Sequence, residues 1–291
     1  MRNVPDAERV KAMASAKDIR VAPISAADAA AIVRRVHYSG KVVQNSQLHL
    51  GAFLDGRLEG AMQFGPSLDK RKIQGLVEGT GWNGFIELNR MAFSDRLPRN
   101  SESRALAIAF RLIRKHYPHI EWVISFADGT QCGDGTIYRA SGFVLTGIKK
   151  NTQVWAAPSG ESFSRTSLTD GRSKQQQQQA RAVISRTSST KGGNNHATGA
   201  ASMKAYAEAG FRPLDGFQLR YIYFLNPAAR ERLTVPVIPF ARIDEMGAGM
   251  YKGARIAVSE RAKNLDAEHP SAQGGEVPTR TLHPSTAGAH S

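Results

Sequence analysis

Apolar positions along this chain switch repeatedly between a spacing of three to four residues and a spacing of two, and each switch predicts an element. Residues 25–40, SAADAAAIVRRVHYSG, carry the first spacing and predict a helix with Ser25 or Asp28 near its start and Gly40 at its end. LHLGAFLDGRLEGAMQFG (48–65) predicts two strands joined at Asp55-Gly56, the dipeptide favoured by tight two-residue hairpins. GFIELNRMAFSD (84–95) predicts a third strand. PRNSESRALAIAFRLIRKHYP (98–118) is the clearest helix. Asn100 or Ser101 can cap it, Leu106, Phe110 and Ile113 share one face, and Pro118 ends it. IEWVISFADG (120–129) is apolar almost throughout, as a strand buried on both faces in a parallel pairing would be.

DGTIYRASGF (134–143) reads as a loop, a single helical turn capped by Thr136, a left-handed stop at Gly142 and the opening of a strand. FVLTGIKKNTQVWAA (143–157) extends that strand or makes a hairpin, and MKAYAEAGFRP (203–213) with QLRYIYFLNP (218–227) adds a helix and a strong strand. YAEAGF repeats the spacing of YRASGF, which predicts two similar helix ends. The succession places the chain in the α/β class, with a mixed central sheet flanked by helices. Residues 1–20 are polar and predict a flexible N-terminus. From about 159 to 199 the composition turns to Ser, Thr, Gln and Gly, with five consecutive glutamines at 175–179. This predicts a disordered insertion within a domain spanning 21–253, and residues 254–291 predict a disordered tail.

Charge sharpens this outline. The formal net charge is +14 with a pI near 10.1, which points to a polyanionic partner such as nucleic acid. The insertion contributes six basic side chains against Glu161 and Asp170, a net +4, and can lie along a phosphate backbone. The one cysteine, Cys132, excludes an intramolecular disulfide and a Cys-rich zinc site, in keeping with a reducing cytoplasm. No apolar run approaches the ~18 residues of a membrane span, and no apolar signal core begins the chain. The expectation is a soluble, intracellular protein.

The order of helix, hairpin, strand, helix, strand, short Tyr-x-x-x-Gly-Phe helix and strand resembles the GNAT acyltransferase fold. More specifically, ELNRMAFSDRLPRNSESRALAIAFRLIRK, WVISFADG and DGTIYRASGF, in that order, resemble the Mom family of phage DNA-modification proteins. That resemblance implies conversion of adenine N6 in double-stranded DNA to its carbamoylmethyl form, which shields phage DNA from host restriction. It also implies a possible iron requirement, for which His37, Asp128 and Asp134 are the first ligands to test. Acetyl-CoA-dependent GNAT enzymes cradle the pyrophosphate with a glycine-rich turn, whereas the matching turn here, 98–104, has no glycine and carries Glu102. Either Ser101, Ser103 and Arg104 hold the phosphates of acetyl-CoA, or the donor presents its phosphates differently, as glycyl-tRNA would. Glycyl transfer to N6, ring closure of the glycyl amine on C6 and cleavage of C6–N6 would supply every atom of a carbamoylmethyl group.

By the same resemblance Tyr138 is the proton donor to the leaving group. Asp128 and Asp134, at the ends of the loop after the apolar strand, are candidate bases or adenine contacts, because ligands bind beyond the carboxyl ends of strands in open α/β sheets. His37 is a further candidate base, and Tyr38 beside it an acceptor contact. Glu87 and Asn89 alternate along one strand and so face one side, with Arg90 on the other; all three are candidate substrate contacts. Two rival functions fit the composition. One is a GNAT N-acetyltransferase acting on a protein or small amine, and the other is a non-catalytic DNA-binding protein.

Overall fold

A computed structural model of the chain describes residues 14–169, 178, 182 and 202–261. The alternating segments fold as strands β1 (Arg20–Pro23), β2 (Leu48–Leu54), β3 (Arg57–Gly65), β4 (Phe85–Phe93), β5 (Trp122–Gly129) and β6 (Val144–Lys150). A small sheet follows, made of β7 (Val154–Ala156), β8 (Ser162–Ser164) and β9 (Arg212–Pro213), before β10 (Phe217–Phe224) rejoins the large one. The large sheet runs β1-β2-β3-β4-β5-β10-β6, and each pair is antiparallel except β4–β5. The β2–β3 turn is the expected hairpin: Asp55 (φ 49°) and Gly56 (φ 77°) are both left-handed, the geometry a type I′ turn requires.

The helices are α1 (Ala26–Val36), α2 (Lys70–Gln74), α3 (Ser101–His116), α4 (Thr136–Ala140), α5 (Arg165–Thr169), α6 (Met203–Glu208) and α7 (Ala241–Glu245). Two of them sandwich the sheet. On β3, Ala61 packs with Ala29, Ile32 and Val33 of α1, while its neighbours Met62 and Phe64 join Leu106, Phe110 and Ile113 of α3. Successive strand residues point to opposite faces, so α1 and α3 cover opposite sides. The apolar strand β5 is buried as expected for a central position: Val123 joins one cluster, while Trp122 and Ile124 join another with Phe85, Ile73 and Val77. None of the described helices is long and apolar enough to cross a membrane.

One feature of the sheet determines where chemistry can occur. β4 and β5 pair only through Phe85–Trp122, Ile86–Val123 and Glu87–Ile124. Beyond that point their ladder stops, although β5 stays paired with β10 from Trp122 to Gly129. The diverging edges leave backbone groups of two central strands facing a gap, and such groups need partners.

Three boundaries differ from the sequence expectation. Residues 14–20 are regular: Ser15 and Asp18 form a reciprocal capping box and Ile19 is buried. Within the predicted insertion, Phe163 and Leu168 find apolar partners in Ala157, Tyr206 and Phe211, and residues 162–169 form β8 and α5. Two buried apolar side chains suffice to order a polar stretch when neighbouring segments supply the rest of the core. At the other end, residues 254–261 pack back on the domain through Arg261 and the Asp244-capped turn at Val258. The remainder of the insertion, apart from 178 and 182, and the tail from 262 lie outside the described residues. The echoed motif does make two like helix ends, with Phe143 N–H donating to Tyr138 O and Phe211 N–H to Tyr206 O, both at 3.0 Å.

Candidate active site

The gap between β4 and β5 is bridged by side chains. Ser125, fully buried on β5, donates to the Leu88 carbonyl of β4 at 3.3 Å, just past the last ladder pair. The Tyr138 hydroxyl pairs with this same serine. Tyr138 reaches it because α4 starts at Gly135 in a left-handed conformation (φ 87°), where a Cβ would lie 2.5 Å from the Tyr221 ring and 2.9 Å from Tyr138 itself. Only glycine fits there. The phenol ring packs between Phe143 (5.1 Å between centroids) and Tyr221 (5.3 Å). Burial pushes its pKa up, so it keeps its proton at neutral pH.

β4 does not alternate as its sequence suggests. Its register against β3 passes from Arg90–Gln63 to Leu88–Phe64, leaving Asn89 as an extra residue in a bulge. One inserted residue reverses the alternation, so Glu87 and Arg90 share a side instead of opposing each other. The Arg90 cation acts on Glu87, His37, Tyr38 and Tyr138 alike. Arg90 is held by the Lys41 carbonyl at 3.0 Å and the Asn89 carbonyl at 2.7 Å. Asn89 itself receives a hydrogen bond from Ser46 (3.0 Å) and gives one to Glu87. Burial raises the Glu87 carboxyl above its usual range, opposed by the neighbouring Ser67 and Asn89 side chains and by Arg90.

His37 and Tyr38 approach from the end of α1, their rings 4.4 Å apart. Burial, together with Arg90, lowers the imidazole pKa to about 4 against the pull of Asp128. The ring is therefore neutral at pH 7. Its Nδ1 accepts the Ser39 backbone N–H at 3.2 Å and faces the Ser39 hydroxyl at 2.9 Å, which places the remaining proton on Nε2. His37 is thus arranged as a neutral Nε2–H donor and not as the base its position suggests. Tyr38 donates to Asp128 Oδ2 at 3.1 Å, while Asp128 Oδ1 takes the Thr130 N–H (3.0 Å), the Thr130 hydroxyl and the Gln218 amide (3.0 Å). Burial and the Asp128 carboxylate push the Tyr38 phenol well above its usual value.

A proton NMR titration tests this arrangement of His37. Its midpoint is expected near 4, and Arg90→Met should move it upward by removing a like charge; a midpoint near 6.5 in the wild type would overturn the assignment. Because the unfolded chain takes the proton near 6.5 and the folded chain only near 4, His37 lowers folding stability as pH falls through that interval.

On the other side of α4 lies an open cleft of about 390 Å³, lined by Asn100, Ser103, Arg104, Arg111, Ser141 and Tyr223 among others. Arg104 Nε and Ser141 Oγ are buried there without a hydrogen-bond partner among the described residues. Ser103 bonds the Asn100 carbonyl at 3.1 Å and is half-buried. Ser101, by contrast, is fully buried and donates to the Pro98 carbonyl at 2.6 Å, so its hydroxyl is unavailable to a donor molecule. The first turn of α3 has Asn100 in a left-handed conformation (φ 67°) where glycine would be expected.

Residues 18–242 match the model of the Mom protein family. The chain belongs to that family. It is 44% identical over 137 residues to a protein of Escherichia phage Mu named Methylcarbamoylase mom, an alignment covering 47% of this chain and 56% of the Mu protein. Solved structures that it resembles include an IAA acetyltransferase from Bacillus cereus, at 9% identity over 71% of this chain and 99% of the other, with a TM-score of 0.34. Another is a GNAT family acetyltransferase from Brucella melitensis in complex with acetyl-CoA, at 19% identity over 43% of this chain and 82% of the other, with a TM-score of 0.31.

In this Mom-family chain the residues singled out from the sequence divide into two sets. His37, Tyr38, Glu87, Asn89, Arg90, Asp128 and Tyr138 converge around the β4–β5 gap, while Ser103 and Arg104 line the cleft behind α4. Asp134 is turned away. Its fully buried carboxylate pairs with Arg139 (2.9 Å) and Arg261 and accepts the Met250 N–H (3.0 Å), which holds it apart from the side chains around the gap. A metal site does not fit either. With Asp134 withdrawn, the set His37, Asp128 and Asp134 is incomplete, and His37 carries its proton on the nitrogen that would ligate. No other group of three such side chains is placed for a metal among the described residues.

Sequence reasoning missed three members. Ser125 was signalled only as a polar residue inside an apolar strand, and Gln218 by nothing at all. The Cys132 thiol couples electrostatically to Tyr38, Tyr138 and Asp128, and burial raises its pKa, leaving it protonated.

Proposed function

We propose that this chain modifies adenine in DNA at N6, installing a carbamoylmethyl group that protects phage DNA from restriction. Membership of the Mom family supports the substrate. The observation that carries the chemistry is the meeting of Tyr138, Glu87, Arg90 and His37 where β4 and β5 part. Adenine N6 is a weak nucleophile because its lone pair is delocalised into the ring, so attack requires proton removal and stabilisation of the charge formed on an acyl oxygen. Glu87, with its raised carboxyl, accepts the N6 proton as N6 bonds to the acyl carbon. Arg90 and the His37 Nε2–H stabilise the oxyanion, and Tyr138 protonates the departing atom as the bond to the donor breaks. Ser103, Arg104 and Arg111, which line the cleft behind α4, hold phosphates of the donor there.

An acyl thioester such as acetyl-CoA and an acyl ester such as glycyl-tRNA both suit the transfer step, but acetyl transfer would end at N6-acetyladenine. A glycyl group reaches the product when its amine bonds to C6 and the C6–N6 bond breaks, the original N6 becoming the amide nitrogen. A glycyl group favours the product, since it brings the nitrogen that an acetyl group lacks. Nucleoside mass spectrometry on plasmid DNA from expressing cells tests the reading. Deoxyadenosine bearing a carbamoylmethyl group is expected, and cells fed isotope-labelled glycine should label it if glycine is the source. Unmodified DNA from cells containing the folded protein would overturn the reading.

A further inference from the structure

Resting on the reading that duplex DNA is the substrate, we infer that the segment 66–72, the turn before α2 and its first residues, is the element that extrudes the target base, with Leu68 entering the stack and Arg71 and Lys72 gripping the adjoining phosphates. Leu68 is 89% exposed, more than any other large apolar residue described. A lone exposed leucine is ordinary on a protein surface; its setting here is not. Both flanks are pinned. On one side Ser67 is buried, and the Pro66 carbonyl accepts from Asn45 Nδ2 at 3.0 Å. On the other, α2 is anchored by Ile73, with Leu76 and Val77 following it into the core around Trp122. A rigid tip therefore presents one aliphatic side chain to solvent.

What adjoins that tip is equally ordered. One residue before it, Ser67 lies beside the carboxylate assigned to accept the N6 proton. Two residues after it comes Lys70-Arg71-Lys72. The Lys70 ammonium is held over the Trp82 ring at 4.5 Å and by Asn83 Oδ1 at 3.0 Å. Arg71 and Lys72 are exposed and form no ion pair among the described residues. An aliphatic wedge between a reaction centre and a cation cluster suits a duplex, since the apolar group fills the space left by a base and the cations neutralise phosphates. Chemistry at N6 needs the base out of the stack. Among the described residues, no exposed large apolar side chain lines the cleft behind α4.

Permanganate oxidation of thymines in a mixed-sequence duplex, read beside binding by fluorescence anisotropy, tests the inference with the full-length protein and no donor. Wild type is expected to bind and to expose thymines opposite extruded adenines. Leu68→Ser should bind within about twofold of wild type, yet lower thymine reactivity at least about tenfold, the population change that about 1.4 kcal/mol produces. Leu68→Met, which keeps an apolar wedge, should retain reactivity. Arg71→Gln with Lys72→Gln should weaken binding and flatten its salt dependence by roughly 0.9 for each phosphate left without its cation. Full thymine reactivity in Leu68→Ser would overturn the inference and leave the DNA reading intact. Failure of the wild type to bind duplex DNA would remove both.

Discussion

Tyr138→Phe is expected to abolish the DNA modification while leaving the fold in place. The ring contributes packing against Phe143 and Tyr221, and phenylalanine preserves that packing. Ser125 keeps its bond to the Leu88 carbonyl, so the β4–β5 gap stays bridged. Only the hydroxyl is lost, and with it the proton for the leaving group. Positioned proton transfer contributes about 10²–10⁴-fold, so the modified fraction of deoxyadenosine should fall at least about a hundredfold at equal protein level. Nucleoside mass spectrometry measures the fraction, and thermal denaturation of the purified variant shows whether folding is intact. Retention of full modification would remove Tyr138 from the reaction.

Asp134→Asn is expected to fail for a different reason, through stability. Its carboxylate is fully buried between Arg139 and Arg261, whose side chains are each only 11% exposed. Removing the negative charge leaves two guanidinium groups facing one another in a poorly hydrated site, and breaking a buried ion pair costs about 3–5 kcal/mol. For a domain of this size that lowers the melting temperature by roughly 6–20 °C. The damage reaches the active site indirectly. The Asp134 carbonyl accepts the Tyr221 hydroxyl at 2.5 Å, Arg139 Nη1 donates to that hydroxyl at 3.3 Å, and Tyr221 supports the Tyr138 ring. Asp134→Asn combined with Arg261→Met should be less damaging than the single changes predict together, because the unpaired cation goes too. A variant with an unchanged melting temperature but no activity would instead restore Asp134 as a catalytic base.

The hydrophobic and polar pattern carried much of the fold. α1 and α3, the β2–β3 hairpin, the apolar β5 and the short helix holding Tyr138 all sit where periodicity and punctuation put them, because each depends on local spacing, caps and left-handed glycines. The pattern was equally informative about candidates that stand in strands or at helix ends, such as Glu87, Asp128 and His37. It was misleading where a single register event intervened. Nothing in IELNR announces that Asn89 will bulge, because a bulge is selected by pairing with β3, and that pairing lies about 25 residues away in sequence.

The same limit explains Asp134, the small sheet and the C-terminal arm. Asp134 reads like its neighbour Asp128, an aspartate beside glycine in a loop, and only the arrival of Arg139 and of Arg261 from the far end of the chain distinguishes them. Phe163 and Leu168 look stranded in a polar run until Tyr206 and Phe211 close over them. What the sequence determined by itself is therefore the principal helices and strands and their order, with Tyr138 placed on its short helix as a candidate. Tertiary structure alone decided which polar side chains converge at the β4–β5 gap, which of two like carboxylates is paired with arginines, and which nitrogen of His37 keeps its proton. Those outcomes depend on burial and on charges brought close from distant segments, and neither quantity is encoded in local spacing.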